Sequence, residues 1–412
     1  MDVPVQQSHN EDKHSPEIER RPGRAISLNP QTMSLNPFPW YQSMRTTNPT
    51  FYDSENDLWH IFRYADTQQI LNDPATFSSE VTQNTDTLTE EAKKRIGEPS
   101  ILNLDPPRHR QLRSFVTQAF TPRTVANLAP RVREIIHEQL DRVAANGHMD
   151  LIEDLAYPLP VIVISELLGV PSEDRDMFKH WSDALVGADQ NQAMQSIKEM
   201  NEYLLAITNE RRKKPANDLI SALLTAQVDG QHLTEGELLS FYILLLVAGN
   251  ETTTNLIGNA FTCFDDFPQE LERLYADRTL IPNTIEEVLR FRSPVQHLIR
   301  ITKRDIEIGG QQIAAGQLVS PWLGSANRDE TQFLDPDIFD IRRSPNRHVG
   351  FGHGIHFCVG SPLSRLEGKI ALEIMLERFK TIKRDHNVPL ERIPAASAFF
   401  GVKKLELTFA NA

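Results

Sequence analysis

Cys358 is one of only two cysteines in this 412-residue chain, and it lies in the glycine-rich stretch Phe351–Gly360, FGHGIHFCVG. Downstream, Leu363, Leu366, Ile370, Leu372 and Met375 recur at roughly helical spacing. That places the sulfur at or just before a helix N-terminus, where the macrodipole and free N–H groups favour a thiolate. A thiolate in a dry pocket is a ligand for a soft or borderline metal. Most free cysteines are small buried hydrophobes, and Cys358 alone favours that plainer reading.

Other residues carry chemistry in combination. Glu287 and Arg290, in EEVLR, are three apart on a helical pattern and share a face. Such a pair is either a solvated surface contact or part of a buried network. Ala248-Gly249-Asn250-Glu251-Thr252-Thr253 interrupts an otherwise apolar run with an acid and two threonines. Polar groups at a buried point need partners. A threonine hydroxyl bonding back to the carbonyl four residues earlier bends such a helix and opens a groove. A packing glycine beside a solvent-facing acid is the plainer alternative. His109 and Arg113 lie one turn apart after Asp105-Pro106-Pro107 and could jointly hold an anion. Arg300 sits at a strand position that is poor for an unpaired charge, and His356 lies two residues before Cys358.

The elements that must position these residues are mostly helical. Patterns place helices near Pro107–Ala119, Ala129–Ala145, Tyr157–Leu168, Ser172–Val186, Gln192–Lys213, Asp218–Thr225, Thr234–Asp265, Pro268–Ala276 and Pro282–Phe291. Thr234-x-x-Glu237 is a capping box ahead of the longest apolar run. Strands are expected around a turn within 49–64, at Val295–Ile301, around Gly309-Gly310 in Ile306–Ile313, and at Leu318–Leu323 and Gly401–Phe409. Thr67–Asn72 reads as a short helix. Ser79–Ser100 reads as a loop with a helical piece near Glu90–Arg95, a candidate substrate lid.

Composition narrows the function classes. Hydrophobic content of 40% and charged content of 24% are those of an ordinary soluble globular protein. A net charge of −13 argues against a nucleic-acid partner. Two cysteines build no disulfide framework, so a cytoplasmic location is expected. Residues 1–25 are polar and charged, have no apolar stretch, and read as a mobile tail ahead of one domain over 26–412. The most apolar run, Leu238–Gly249, is too short to span a bilayer, so no membrane anchor is expected.

In this order, the motifs resemble the cytochrome P-450 superfamily of haem-thiolate monooxygenases. FGHGIHFCVG is similar to its cysteine loop, with Phe351, Gly352, Gly354, His356, Cys358 and Gly360 on matching positions. Glu287 and Arg290 match its Glu-x-x-Arg helix, Arg343 in FDIRR resembles the arginine that completes that triad, and AGNETT matches its oxygen-activating motif. The resemblance runs from about Asn36 to the C-terminus. It implies a mainly α fold with a small β region, a single triangular haem domain with a long central helix. It further implies haem b with Cys358 as the axial thiolate, which favours O–O cleavage. Phe351 would shield the sulfur, and Ala248 and Gly249 would face the cofactor.

His109, Arg113, Arg300 and His356 are implied to hold the haem propionates, the arginines most firmly. Glu287, Arg290 and Arg343 are implied to be structural. Glu251 and Thr252 are implied to deliver protons during dioxygen activation. Leu102, Leu244, Leu245, Val295, Gln296, His297, Leu298, Phe399 and Phe400 are expected to line a pocket for a lipophilic substrate of the steroid, terpenoid, fatty-acid or macrolide class, with Gln296 or His297 orienting a polar end. No flavin or nicotinamide fingerprint is present, so electrons are expected from a separate ferredoxin or flavodoxin and its NAD(P)H-dependent reductase, docking near Arg108, Arg110 and Arg365. A monomer is expected. Two alternatives are a haem-thiolate ligand sensor or carrier without turnover, and a helical interaction protein without cofactor. The Glu251–Thr252 pair argues against the first of these.

Overall fold

One helix runs through the whole arrangement because its sequence both starts it firmly and keeps it apolar. The computed structural model describes residues 36–81, 100–186, 190–393 and 398–412. At Thr234 the hydroxyl oxygen accepts from Glu237 N at 3.2 Å, while Thr234 N donates to Glu237 Oε2 at 2.9 Å. This capping box satisfies two orphan donors, and the helix then continues over Glu235–Asp266. Its C-terminal half is buried all round, including Leu256, Ile257, Ala260, Phe261 and Phe264.

The other helices that matter for the site are α1 (Arg108–Ala119), α2 (Pro158–Leu167), α3 (the central Glu235–Asp266), α4 (Ile281–Phe291) and α5 (Ser361–Arg378). Helix α3 packs against α2, α4 and α5 in one large apolar core. A Cβ at Gly249 would lie 2.5 Å from Ile164 Cδ1, so a glycine allows α2 to approach α3 closely.

The β structure is small and drawn from distant segments. Strands β1 (Thr50–Asp53), β2 (Leu58–Ile61), β3 (Phe77–Ser78), β4 (Arg300–Thr302) and β5 (Leu318–Pro321) form one sheet in the order β1-β2-β5-β4-β3. β2 and β5 are parallel, with Leu58 opposite Leu318, and the other neighbours are antiparallel. A three-stranded sheet joins His148–Asp150, Glu406–Asn411 and Phe379–Arg384. Ile306–Ile308 and Gln311–Ile313 form the expected hairpin. The whole is a mainly helical α+β domain, as the motif resemblance implied.

Several boundaries differ from the sequence reading. Val295–Ile301 is not one strand: only Arg300–Thr302 joins the sheet, while Val295 makes an isolated bridge to Phe399. Its amide hydrogens go instead to separate acceptors, Gln296 N to Ala398 O and Leu298 N to Pro321 O. The helix expected at Ser172–Val186 begins as a 3₁₀ turn, Ser172–Asp174, and becomes α-helical at Arg175. The helix Phe38–Thr47 and the strand Phe379–Arg384 carried no element in the sequence reading. The tail 1–25 and most of the candidate lid, residues 82–99, lie outside the described residues.

Candidate active site

The cysteine loop is held by a buried charge network built from helix α4. Glu287 and Arg290, both fully buried, pair bidentately at 2.8 Å through Nε and Nη2. Arg290 also donates to the carbonyls of Asn327, Pro336 and Ile338. Arg343 Nε donates to Glu287 Oε1 at 3.2 Å, and Asn346 Nδ2 donates to Glu287 Oε2 at 3.1 Å. The triad therefore ties α4 to the irregular segment that leads into the loop, and the solvated-pair alternative for Glu287–Arg290 falls away. Burying such a pair is tolerable only because every lone pair and N–H finds a partner.

The loop itself is fixed by short-range bonds. Cys358 N donates to Phe351 O at 2.9 Å, and Gly352 N to Val349 O at 2.8 Å. Gly354 has φ +67, and a Cβ there would lie 2.3 Å from Leu71 O. A side chain would be strained in that backbone region and would strike another main chain. Cys358 is exposed, immediately before helix α5. The dense protein around it raises the thiol pKa by desolvation. Backbone N–H groups of Gly360 and Ser361 and the charges of Arg113 and Arg365 pull the other way.

The four basic residues converge on that loop. The rings of His109 and His356 lie 4.1 Å apart. Arg113 Nη2 donates to Phe357 O at 2.7 Å. Arg300 is buried, and its Nη1 is satisfied by Ile299 O. Burial, then the charges of His109, Arg300 and Arg113, push His356 down to about 3. Asp105, which reaches this cluster, is already held by Lys303 Nζ at 2.5 Å, Ser78 Oγ at 2.6 Å and Ser79 N at 3.0 Å. Among the described residues no three His, Cys, Asp or Glu side chains gather to hold a metal by themselves. A lone thiol beside two arginine charges and two imidazoles that can donate hydrogen bonds thus fits a metal that brings its other ligands and two carboxylates with it, as iron protoporphyrin does.

Helix α3, packed against α5, carries the interruption. Thr252 Oγ1 donates to Ala248 O at 2.7 Å, the back-bond expected of a mid-helix threonine. Glu251 is desolvated, which raises its pKa. Asn255 Nδ2, one turn on, donates to Glu251 Oε1 at 3.0 Å and opposes the rise. Asn250 is turned away and donates to Ser182 Oγ at 2.7 Å. Leu244, Leu245, Ala248 and Gly249 are half-buried along the same helix.

The expected pocket residues divide. Val295, His297, Leu298 and Phe399 are half-buried beside this region, and Leu102 is exposed in the 3₁₀ turn Ile101–Asn103. His297 Nδ1 lies 3.2 Å from Ser320 Oγ, and burial together with His60 pushes its pKa down to about 4. Two of them sit deeper than expected. Gln296 is 4% exposed; it accepts from Tyr41 OH at 2.8 Å and donates to Ser293 O at 2.5 Å. Phe400 is buried with its ring 5.4 Å from Phe38. Both face the helix Phe38–Thr47, through Tyr41 and Phe38.

Four further contributors carried no role in the sequence reading. Ser79 Oγ lies 2.9 Å from His356 Nε2, a pairing 277 residues apart that no local pattern signals. Asn255 is readable in principle as the i+4 neighbour of Glu251. Glu286, beside Glu287, binds Arg365 through two bonds. Glu367 is buried on α5, and burial pushes its carboxyl up to about 8.

The family model for cytochrome P450 matches residues 153–408. The putative cytochrome P450 YjiB of Bacillus subtilis is 43% identical over 385 residues, 91% of this chain and 94% of that protein. The erythromycin C-12 hydroxylase of Saccharopolyspora erythraea is 40% identical over 359 residues, 84% and 88% of the two chains. The crystal structure of CYP109E1 from Bacillus megaterium in complex with testosterone superposes with a TM-score of 0.84 at 42% identity, covering 90% of this chain and 99% of that one. With these relatives and the thiolate loop on a helical domain, the chain belongs to the cytochrome P450 family and is a monooxygenase whose cofactor is haem b.

Proposed function

We propose that this protein oxidises a lipophilic small molecule of steroid size, using Cys358 as the axial haem ligand and electrons from separate carrier proteins. The observation that carries the reading is the convergence of His109, Arg113, Arg300 and His356 beside the Cys358 loop, with Asp105 already committed elsewhere. When bound, haem with a thiolate ligand activates dioxygen and transfers one of its atoms to the substrate.

The chain's own residues supply position and protons. Arg113 and Arg300 would orient the cofactor's carboxylates, since guanidinium groups stay charged and match carboxylate geometry. Thr252 uses its hydroxyl hydrogen on Ala248 O, which leaves the oxygen lone pairs free to hold a water or accept a proton. Glu251, with its pKa raised by burial, would carry protons from outside to that hydroxyl. Leu244, Leu245, Val295 and Leu298 would exclude water and hold an apolar substrate, and neutral His297 would offer it one polar contact.

The steroid class is favoured by the likeness to the testosterone complex of CYP109E1, and the macrolide class by the likeness to the erythromycin hydroxylase. Titrating the holoenzyme with testosterone, a macrolide and a long-chain fatty acid, and following the haem spin state, tests this choice. A saturable shift with the steroid alone supports it; a shift only with the macrolide or the fatty acid reassigns the substrate class. Of the basic residues expected to meet an electron carrier, Arg108 is bonded to Glu237 and Arg365 to Glu286, while Arg110 is exposed. Arg110 is therefore the strongest docking contact of the three.

A further inference from the structure

Arg365 has a fixed place in the loop's support rather than a loose surface position. Its Nε donates to Glu286 Oε1 at 2.7 Å and its Nη2 to Glu286 Oε2 at 2.9 Å. His348 Nε2 lies 3.0 Å from the same Oε2. The Arg365 guanidinium carbon sits 4.5 Å from the centroid of the Phe351 ring. Phe351 in turn accepts the Cys358 amide hydrogen on its carbonyl oxygen at 2.9 Å. A guanidinium placed over a ring and held by a bidentate carboxylate has little freedom left. One positive charge, with its counter-charge behind it, is thereby locked onto the residue that is hydrogen-bonded to the cysteine.

We infer that Arg365 is a positioning residue that sets the electrostatic field at the Cys358 sulfur, and that Glu286 is the counter-charge that limits this field. The inference rests on the haem-thiolate reading of Cys358. Its physical content is a sign. Adding an electron to the iron–thiolate centre adds negative charge, which a nearby fixed cation stabilises and a nearby anion opposes. Removing Arg365's charge makes reduction harder, and removing Glu286's charge makes it easier. Burial pushes the Glu286 carboxyl up, but hydrogen bonds from Arg365 and His348 outweigh this and hold it down to about 2. The counter-charge is therefore present throughout the neutral range. The side chains of Arg365 and Glu286 are 37% and 29% exposed, so solvent screens part of the effect.

The test is the reduction midpoint of the holoenzyme, measured spectroelectrochemically for wild type, Arg365→Gln, Arg365→Lys, Glu286→Gln and the Arg365→Gln/Glu286→Gln double variant. The carbon monoxide spectrum of each reports the thiolate. The expected result is a positive shift for Glu286→Gln, a negative shift for Arg365→Gln, a value between them for the double variant, and a value near wild type for Arg365→Lys. If Arg365→Gln loses haem or fails to fold, the positive shift of Glu286→Gln still tests the sign, and Arg365→Lys tests that the charge suffices. Midpoints that stay put, or that move together in both single variants while the thiolate band is intact, make the pair a structural brace and overturn the inference. Loss of the thiolate band in wild type removes the underlying reading itself, a distinct and separately visible failure.

Discussion

Thr252 shows how a role can rest on one hydrogen bond. Because its hydroxyl hydrogen is committed to Ala248 O, the oxygen has acceptor capacity left. Thr252→Ala removes that acceptor while keeping the helix, since alanine is the better helix former. We expect electron consumption to continue while product per electron falls several-fold, measured as product formed against reduced nicotinamide consumed; unchanged coupling on a good substrate would refute the role. Glu367 makes a different prediction, through linkage. Burial raises its folded pKa to about 8, against about 4.3 for an unfolded glutamate. Between these values the folded chain keeps a proton that the unfolded chain has lost, so this group's contribution to stability falls as pH rises from about 4.3 through about 8. Glu367→Gln, neutral at every pH, should gain thermal midpoint on wild type as pH rises from 5.5 to 8.5, on the basis of this linkage. A constant difference across that range would show that the carboxyl ionises normally.

The elements explain which residues could be read from sequence. The capping box at Thr234 and the apolar run after it made the central helix legible almost to the residue, because local bonds and patterning agree there. The Glu287–Arg290 spacing gave the contact but not its burial, which comes from carbonyls 37 to 48 residues away. The contacts of Gln296 and Phe400 with the helix Phe38–Thr47 are not legible because that helix begins at Pro37 without a side-chain cap bond and has little apolar periodicity. Gly354 offers a test of the element contact behind the cysteine loop. Its Cβ would meet Leu71 O, whereas Gly310, also at positive φ, has open space around it. Gly310→Ala should cost only the backbone strain, about 1–2 kcal/mol. Gly354→Ala should cost about 1–3 kcal/mol more for the clash, with faster haem loss, read from denaturant midpoints and from transfer of haem to an acceptor protein. Equal costs would mean that the loop yields freely.

At the scale of the whole molecule, motif order carried the family and the α+β architecture, whereas the sheet did not follow from sequence. Its central pairing, β2 with β5, joins Leu58 to Leu318, and no periodicity within either strand specifies a partner so distant. Charge is the other whole-molecule property. A net −13 repels an acidic electron carrier in general, so productive docking needs local positive charge, and the exposed Arg110 is the candidate that supplies it. Reduction by an acidic ferredoxin should slow as salt is raised past the Debye regime, and Arg110→Glu should slow it at low salt. Stopped-flow rates that ignore both changes would exclude this face.

The central claim is that the Cys358 sulfur ligates haem iron as a thiolate. The most direct measurement is the absorption spectrum of the reduced, haem-loaded protein under carbon monoxide, for wild type and Cys358→Ser. The account predicts the strongly red-shifted Soret band of a thiolate–carbonyl centre in wild type and its loss in folded Cys358→Ser. A folded, haem-loaded wild type without that band, or a Cys358→Ser variant that retains it, would contradict the account.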